Sequence, residues 1–329
     1  MKLLCITDPM THPPTDTTVE LYNRVAEDPR FELFHLEAGR VGDGSALPVT
    51  RVSRPLAFTE FLALAESPTT PAEFAEFDLV FSRTDKPYPS GHLEALIRHE
   101  DDTRFVARPS SVRKQDDRVF CRSVASRFMP AGIVTRSMEE AGEFARSHGK
   151  VVAKRNRSYG GKGVAKLWRE GMRWLVEHPR GVRQEHDTLE GILEPLFASD
   201  PEPFEFVRYL ERVTAGDKRV LVVDGDIYGG FLRVATDGGW INNLTSGGAA
   251  HPATVTPREE AIVLATCRCY HEHGLYALGY DFLEDDSGVW ILSEINASGN
   301  IVGYGELERT SGLPVFRRFL DWLAAFPAL

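Results

Sequence analysis

A chain of 329 residues with 42% hydrophobic and 26% charged side chains is too long for one simple core and too apolar to stay unfolded, so two or three compact lobes are expected. Its 38 basic and 48 acidic residues leave a formal net charge of -10, which removes any general attraction to nucleic acid or an anionic membrane but leaves room for a local basic cleft that binds a small phosphate ligand. No apolar run reaches the roughly 20 residues that span a bilayer. The start, Met1-Lys2-Leu3-Leu4-Cys5-Ile6-Thr7-Asp8, has too short an apolar stretch for a signal peptide, and four cysteines make no disulfide framework. A cytoplasmic protein with reduced thiols is expected.

Lys2–Thr7 reads as a strand, and Thr17–Glu27 follows as a helix with Asp16 as its N-cap. Phe31–Glu37 and Phe77–Arg83 are further strands and Ser90–Glu100 a second helix, while the Gly-, Pro-, Ser- and Thr-rich stretches 39–57 and 66–73 read as loops. This alternation predicts a βαβ lobe on a mostly parallel sheet, ending at Arg108-Pro109. Helices are predicted at Asp116–Arg127 and Met138–His148. Two β runs, Lys150–Arg155 and Gly163–Trp168, are joined by Asn156-Arg157-Ser158-Tyr159-Gly160-Gly161-Lys162. From Phe204 the chain turns β-rich: Phe204–Leu210, Arg219–Val223, Ile227–Val234, Ala277–Phe282 and Val289–Ile295, with helices at Arg258–His273 and Val315–Ala325 covering this sheet.

Gly160-Gly161-Lys162-Gly163 invites a phosphate reading, because glycine lets backbone N–H groups approach an anion. A P-loop needs Ser or Thr after the Gly-Lys pair and a helix next, and a dinucleotide fingerprint also needs a helix. Here Gly163 and a strand follow. The glycines therefore form either a hairpin able to fold over a nucleotide triphosphate or an ordinary turn. Lys154, at the end of the apolar run Val151-Val152-Ala153, favours the first reading, since a lysine there can meet a phosphate as a point charge.

Asp281 lies in one strand candidate, and Glu294 and Asn296 lie in the next. Period two puts Glu294 and Asn296 on one face, and antiparallel pairing can bring Asp281 opposite them. Two carboxylates and an amide oxygen suit one or two Mg²⁺ ions, which take hard oxygen ligands and keep waters and phosphate oxygens. The alternative is a solvent-facing acidic hairpin, disfavoured by the apolar residues that interleave the polar ones.

Several motifs then stand in a shared order over about 290 residues. They are Asp8-Pro9 with Asp16-Thr17-Thr18, Arg83-Thr84-Asp85-Lys86-Pro87, Arg108-Pro109-Ser110-Ser111-Val112-Arg113, Gly216-Asp217-Lys218-Arg219-Val220-Leu221-Val222-Val223-Asp224-Gly225, Asn243-Leu244 with Gly247-Gly248, and Ser293-Glu294-Ile295-Asn296. In these the chain resembles the bacterial glutathione synthetase and RimK-like ligase branch of the ATP-grasp superfamily. The resemblance implies an α/β fold of α+β lobes: an N-terminal parallel-sheet lobe at 1–112, a central lid lobe at 113–185 and a C-terminal antiparallel-sheet lobe at 186–329. It also implies an ADP-forming carboxylate–amine ligase working through an acyl phosphate.

Residue by residue, the resemblance puts Arg118 where the family has one phosphate-contacting lysine and Lys154 at the second. Gly160, Gly161, Lys162, Gly163 and Asn243 join the ATP site, and Val207, Tyr209 and Leu210 frame the adenine. Asp281, Glu294 and Asn296 match the ligands of Mg²⁺ (or Mn²⁺). Arg219 and Arg233 match basic residues facing the reacting carboxylate and phosphate. Residues 235–248 match a mobile lid, in which Trp240 stands apart from the other tryptophans, read as core. The expected partners are a small-molecule carboxylate and amine, in a homo-oligomer, dimer or tetramer, with no nucleic acid and no membrane.

The family's lid arginines are absent here, where Ile241, Asn242 and Ala249 stand. Its Val-Thr-Ser-Pro-Thr after Glu-Ile-Asn is replaced by Ala297-Ser298-Gly299-Asn300. The ATP half is kept and the substrate half altered, so a different carboxylate–amine pair, an amino acid or small peptide, is expected. Glutathione synthetase proper, a kinase on the same fold and a nucleotide-binding module without turnover are the rivals. His271 and His273 are expected to cap their helix rather than bind metal.

Overall fold

The computed structural model describes residues 1–14, 16–42, 46–158, 163–236, 238–242, 244, 247–297 and 301–326. The first sheet holds β1 (Lys2–Thr7), β2 (Glu32–Glu37), β3 (Leu47–Val52), β4 (Thr70–Ala72) and β5 (Leu79–Ser82), ordered β4-β3-β2-β1-β5. β1 pairs in parallel with β2 and β5, whereas β2–β3 and β3–β4 are antiparallel. The sheet is therefore half parallel. Its antiparallel edge comes from two stretches whose composition reads as loop: Leu47, Val49 and Val52 are buried, but Pro48 and polar neighbours hide their alternation. Pro71 sits on the edge strand, where a missing N–H does no harm.

Helix α1 (Thr17–Glu27) starts where expected, with Asp16 accepting from Thr18 N. Helices α2 (Phe58–Leu62), α3 (His92–Ile97), α4 (Pro109–Gln115) and α5 (Arg118–Ala125) follow. Thus 116–127 is not one helix: Asp116 closes α4, and Asp117 caps α5 by accepting from Val119 N.

The second sheet contains β6 (Gly132–Thr135), β7 (Lys150–Arg155), β8 (Val164–Glu170), β9 (Arg173–Glu177), β10 (Arg183–His186) and β11 (Phe204–Arg208), ordered β10-β9-β8-β7-β11-β6. Helices α6 (Met138–His148) and α7 (Glu190–Ala198) pack on one face over Ala153, Leu167, Phe204 and Phe206. β11 pairs antiparallel with both β6 and β7, so it belongs to this sheet and not to the C-terminal one. A division at residue 186 would part β11 from its neighbours. β6, β9, β10 and α7 are elements that the sequence pattern did not reveal.

The third sheet is antiparallel, β14-β13-β12-β15-β16, from β12 (Asp217–Val223), β13 (Asp226–Val234), β14 (Ala249–Ala253), β15 (Ala277–Glu284) and β16 (Trp290–Asn296). Central β12 is buried along its whole length. Helices α8 (Pro257–Glu272), α9 (Tyr304–Ser311) and α10 (Val315–Ala324) complete the chain. His273 caps α8, its Nδ1 lying 2.8 Å from Cys269 O. The first and third sheets share one core, in which Leu3, Tyr22 and Phe81 meet Leu221, Phe231 and Phe319. Among the described residues no helix is long and apolar enough to cross a membrane. All four cysteines are free thiols.

His35, buried on β2, places Nδ1 2.8 Å from Tyr22 Oη, and its Nε2 has no partner. Burial pushes its pKa down to about 4. Unfolding restores the ordinary value near 6.5, so the unfolded chain binds the extra proton. Stability should therefore fall as pH drops from about 6.5 to about 4, by up to about 3 kcal/mol. Urea melts across that window should show a steeper loss for the wild type than for His35→Phe. Equal pH slopes in the two proteins would show that His35 does not carry this effect.

Candidate active site

The site forms between the inner faces of the second and third sheets. On β7, Lys154 lies in register with Val164 of β8 and Glu205 of β11, and the next row on the same face is Glu177–Lys166–Val152–Val207. Directly opposed residues share a face, so one surface carries both rows. Val152, Val207 and Tyr209 pack with Val213 as an apolar cluster, which Leu283 of the third sheet and Trp240 also touch. Leu210 is buried beside them, and its carbonyl accepts from Val213 N. Val207 and Tyr209, two of the residues expected to frame a base, thus lie in one apolar cluster, with Leu210 buried next in the chain.

Glu205, 2% exposed, is a residue that the sequence reading passed over. Arg122 Nε donates to its Oε1 at 2.7 Å, while Arg118 Nη1 and Lys154 Nζ lie 3.4 and 3.8 Å from its Oε2. Burial alone would raise its pKa, but Lys154, Arg118 and Arg122 outweigh burial and hold the carboxyl ionised. The available signal was a charge inside the apolar run Phe204-Glu205-Phe206-Val207, facing inward by alternation.

Arg118 joins the two sheets. Its backbone N donates to Asn156 Oδ1 at 3.0 Å and its Nε to Arg155 O at 3.1 Å; Nη1 also reaches Glu294 Oε1 at 3.4 Å. Burial opposes its charge, yet Glu294 and Glu205 outweigh that and raise its pKa. The structure therefore brings Arg118, Lys154 and Glu294 together across the cleft.

On the third sheet, Asp281 of β15 stands opposite both Arg219 of β12 and Glu294 of β16. Arg219 Nη2 donates to Asp281 Oδ2 at 2.9 Å, Arg233 Nη2 lies 2.8 Å from Asp281 Oδ1, and Asn296 Nδ2 donates to Asp281 Oδ2 at 3.0 Å. Arg233 also pairs with buried Asp217. Burial would raise the Asp281 pKa, but Arg219 and Arg233 overcome burial and keep it ionised. Asp281, Glu294, Asn296, Arg219 and Arg233 are thus one array.

The three oxygen-bearing side chains fit a hard divalent cation by donor chemistry. Among the described residues no three His, Cys, Asp or Glu groups gather for a metal, so the set is two carboxylates and an amide. Around it, five cations (Arg118, Arg122, Lys154, Arg219, Arg233) face four carboxylates (Glu205, Asp217, Asp281, Glu294). A positive surplus suits a polyphosphate and a metal held jointly with phosphate oxygens better than a metal held by protein alone.

Gly163 adopts φ +73° and its carbonyl accepts from Arg155 N at 2.8 Å. Gly160, Gly161, Lys162 and Asn243 lie outside the described residues. A cleft of about 380 Å³ runs between Lys86–Leu93 of the first lobe and Arg155, Arg157 and Ser158. Arg155 alternates with Lys154, so this cleft lies on the opposite side of β7 from Lys154.

Two sheets closing on one cleft, one carrying Lys154 and the other Asp281, Glu294 and Asn296 opposed by arginines, match the ATP-grasp class. Among solved structures, similar folds include a D-cycloserine synthetase, DcsG (TM-score 0.66, 14% identity, covering 99% of each chain). Another is a Chryseobacterium gregarium RiPP-associated ATP-grasp ligase in complex with ADP and a leader and core peptide (TM-score 0.62, 18% identity, covering 99% of this chain and 97% of that one). Among curated sequences, the glutathione synthetase of Brucella melitensis biotype 1 is 28% identical over 256 residues, 77% of this chain and 75% of the relative. The glutathione synthetase of Parasynechococcus marenigrum is 29% identical over 253 residues, 76% of this chain and 75% of the relative. The family model for the prokaryotic glutathione synthetase ATP-grasp domain matches residues 118–299, more than half of the chain. The chain belongs to that family and is an ATP-dependent, ADP-forming carbon–nitrogen ligase.

Proposed function

We propose that the enzyme joins the carboxylate of an amino acid or small peptide to an amine, with Mg²⁺ as the metal, on a substrate pair other than that of glutathione synthetase. The observation that carries this reading is the single array of Asp281, Glu294, Asn296, Arg219 and Arg233 facing Lys154 and Arg118. Lys154 and Arg118 hold the nucleotide phosphates. Asp281, Glu294 and Asn296 would hold Mg²⁺, which offsets phosphate charge when bound. A substrate carboxylate oxygen attacks the γ-phosphorus and ADP leaves, giving an acyl phosphate. The amine nitrogen then attacks the acyl carbon, phosphate leaves, and the nitrogen loses a proton to give the amide. Arg219 and Arg233 oppose the charge on the transferring group.

A changed substrate pair is supported at the altered positions. Asn242 is 2% exposed. It accepts from Ala235 N at 3.0 Å and donates to Val213 O at 2.8 Å, so its amide serves the backbone and not a substrate. Ala249 is part of β14. Ser298, Gly299 and Asn300 lie outside the described residues. Free thiols and the need for ATP support a cytoplasmic setting.

A screen of carboxylates and amines, singly and paired, tests this reading by ADP and phosphate release with mass spectrometry of the product. Phosphate release that needs both partners and a condensed product supports it; a stable phosphorylated product formed without amine would instead identify a kinase. Lys154→Ala should weaken ATP binding by about 10- to 100-fold, the worth of a hydrogen bond to a charged group. Unchanged affinity by calorimetry would remove Lys154 from the phosphate site.

A further inference from the structure

Three side chains that the reaction leaves unused meet beside Val207 and Tyr209, where the base is expected. Glu177 and Lys166 stand in the same cross-strand row as Val152 and Val207. Lys166 Nζ lies 3.0 Å from Glu177 Oε2 and 5.4 Å from the centre of the Tyr209 ring. Into this corner comes Trp240, from the chain beyond β13. Its Nε1 donates to Glu177 Oε1 at 2.7 Å, and Lys166 Nζ lies 5.2 Å from its ring centre. Its ring meets that of Tyr209 edge-on at 6.5 Å and packs on Val152, Val207 and Val213.

We propose that Trp240 and the adenine of ATP compete for one seat, and that Glu177 and Lys166 hold whichever is present. The proposal rests on the ATP reading above. Indole and adenine are both flat, fused five- and six-membered aromatic rings, so one slot accommodates either. The indole N–H donates to the Glu177 carboxylate, and the exocyclic amino group of adenine can donate to it in the same way. Glu177 is the side-chain acceptor on this row. A lysine over the ring face suits both occupants. Guanine carries a carbonyl oxygen in place of that amino group, and a carbonyl oxygen facing a carboxylate is repelled. Glu177 is therefore a specificity residue for adenine, and Trp240 lowers the fraction of molecules open to it.

Calorimetry of Mg·ATP and Mg·GTP with wild type, Trp240→Ala, Trp240→Phe and Glu177→Gln tests this. Removing the competitor should tighten ATP binding by about 3- to 10-fold in Trp240→Ala. Trp240→Phe, which keeps a ring but loses the bond to Glu177, should fall between that variant and wild type. Glu177→Gln, whose amide can donate to guanine, should shrink the ATP-over-GTP preference by about tenfold or more. Equal or weaker ATP binding in Trp240→Ala overturns the competition, and an unchanged ATP-to-GTP ratio in Glu177→Gln overturns the specificity role. If no variant and no wild type binds ATP, the ATP reading falls with the proposal. Equal binding by wild type and both Trp240 variants sinks the competition alone.

Discussion

Glu294→Gln should leave the fold standing and cut turnover by about 100- to 1,000-fold, the range seen when one charge-stabilising group leaves a reaction centre. The Glu294 side chain is 38% exposed, and its cation, Arg118, sits at 3.4 Å and keeps Glu205 as a second partner. Its loss should therefore change stability by no more than about 1 kcal/mol. Its effect on chemistry is large because Glu294 supplies one of only two carboxylates among the three metal-ligand candidates. Glutamine keeps the shape and an oxygen but removes the charge. Thermal melts should match wild type while ADP release collapses. Full turnover in this variant would refute the assignment of Glu294 as a metal ligand.

Glu205→Leu should do the reverse kind of damage, to the fold before the chemistry. Glu205 is the shared counter-charge for Arg118, Arg122 and Lys154 inside the cleft. Removing it leaves three cations facing one another with little water to screen them. Breaking a buried ion pair from one side costs about 3 to 5 kcal/mol, a large part of the roughly 5 to 15 kcal/mol by which a domain is stable. Glu205→Gln, which still accepts from Arg122, should lose less. Urea denaturation of the three proteins checks the order. A leucine variant within about 1 kcal/mol of wild type would show that the cations are relieved by solvent instead.

The grouping of Asp281, Glu294 and Asn296 was legible because it is written in local alternation. Glu294 and Asn296 are two apart on one strand, and Asp281 lies on the strand joined to it by a short hairpin, so their shared face follows from strand geometry. Arg219 was placed by the family resemblance, and its register with Asp281 comes from the pairing of β12 with β15, which no short hairpin joins. Alternation could not show who sits across a cleft. Glu205 carries the correct inward phase, but its three cations come from α5 and β7, as many as 87 residues away. The edge strands β3 and β4 were lost for a different reason: proline and polar residues mask a buried pattern that matters only once β2 offers an edge.

By itself, the sequence put Asp281, Glu294 and Asn296 on one face, because hairpin pairing and period two act over short distances, and its ordered motifs carried the family resemblance that implied the ligase chemistry. The tertiary structure alone decided that β11 lies between β7 and β6 in the second sheet, that Glu205 balances Arg118, Arg122 and Lys154, and that Trp240 sits against Lys166 and Glu177. Those are contacts between segments far apart in the chain. They are settled by how the sheets pack and how buried charges are matched, and no local pattern encodes either.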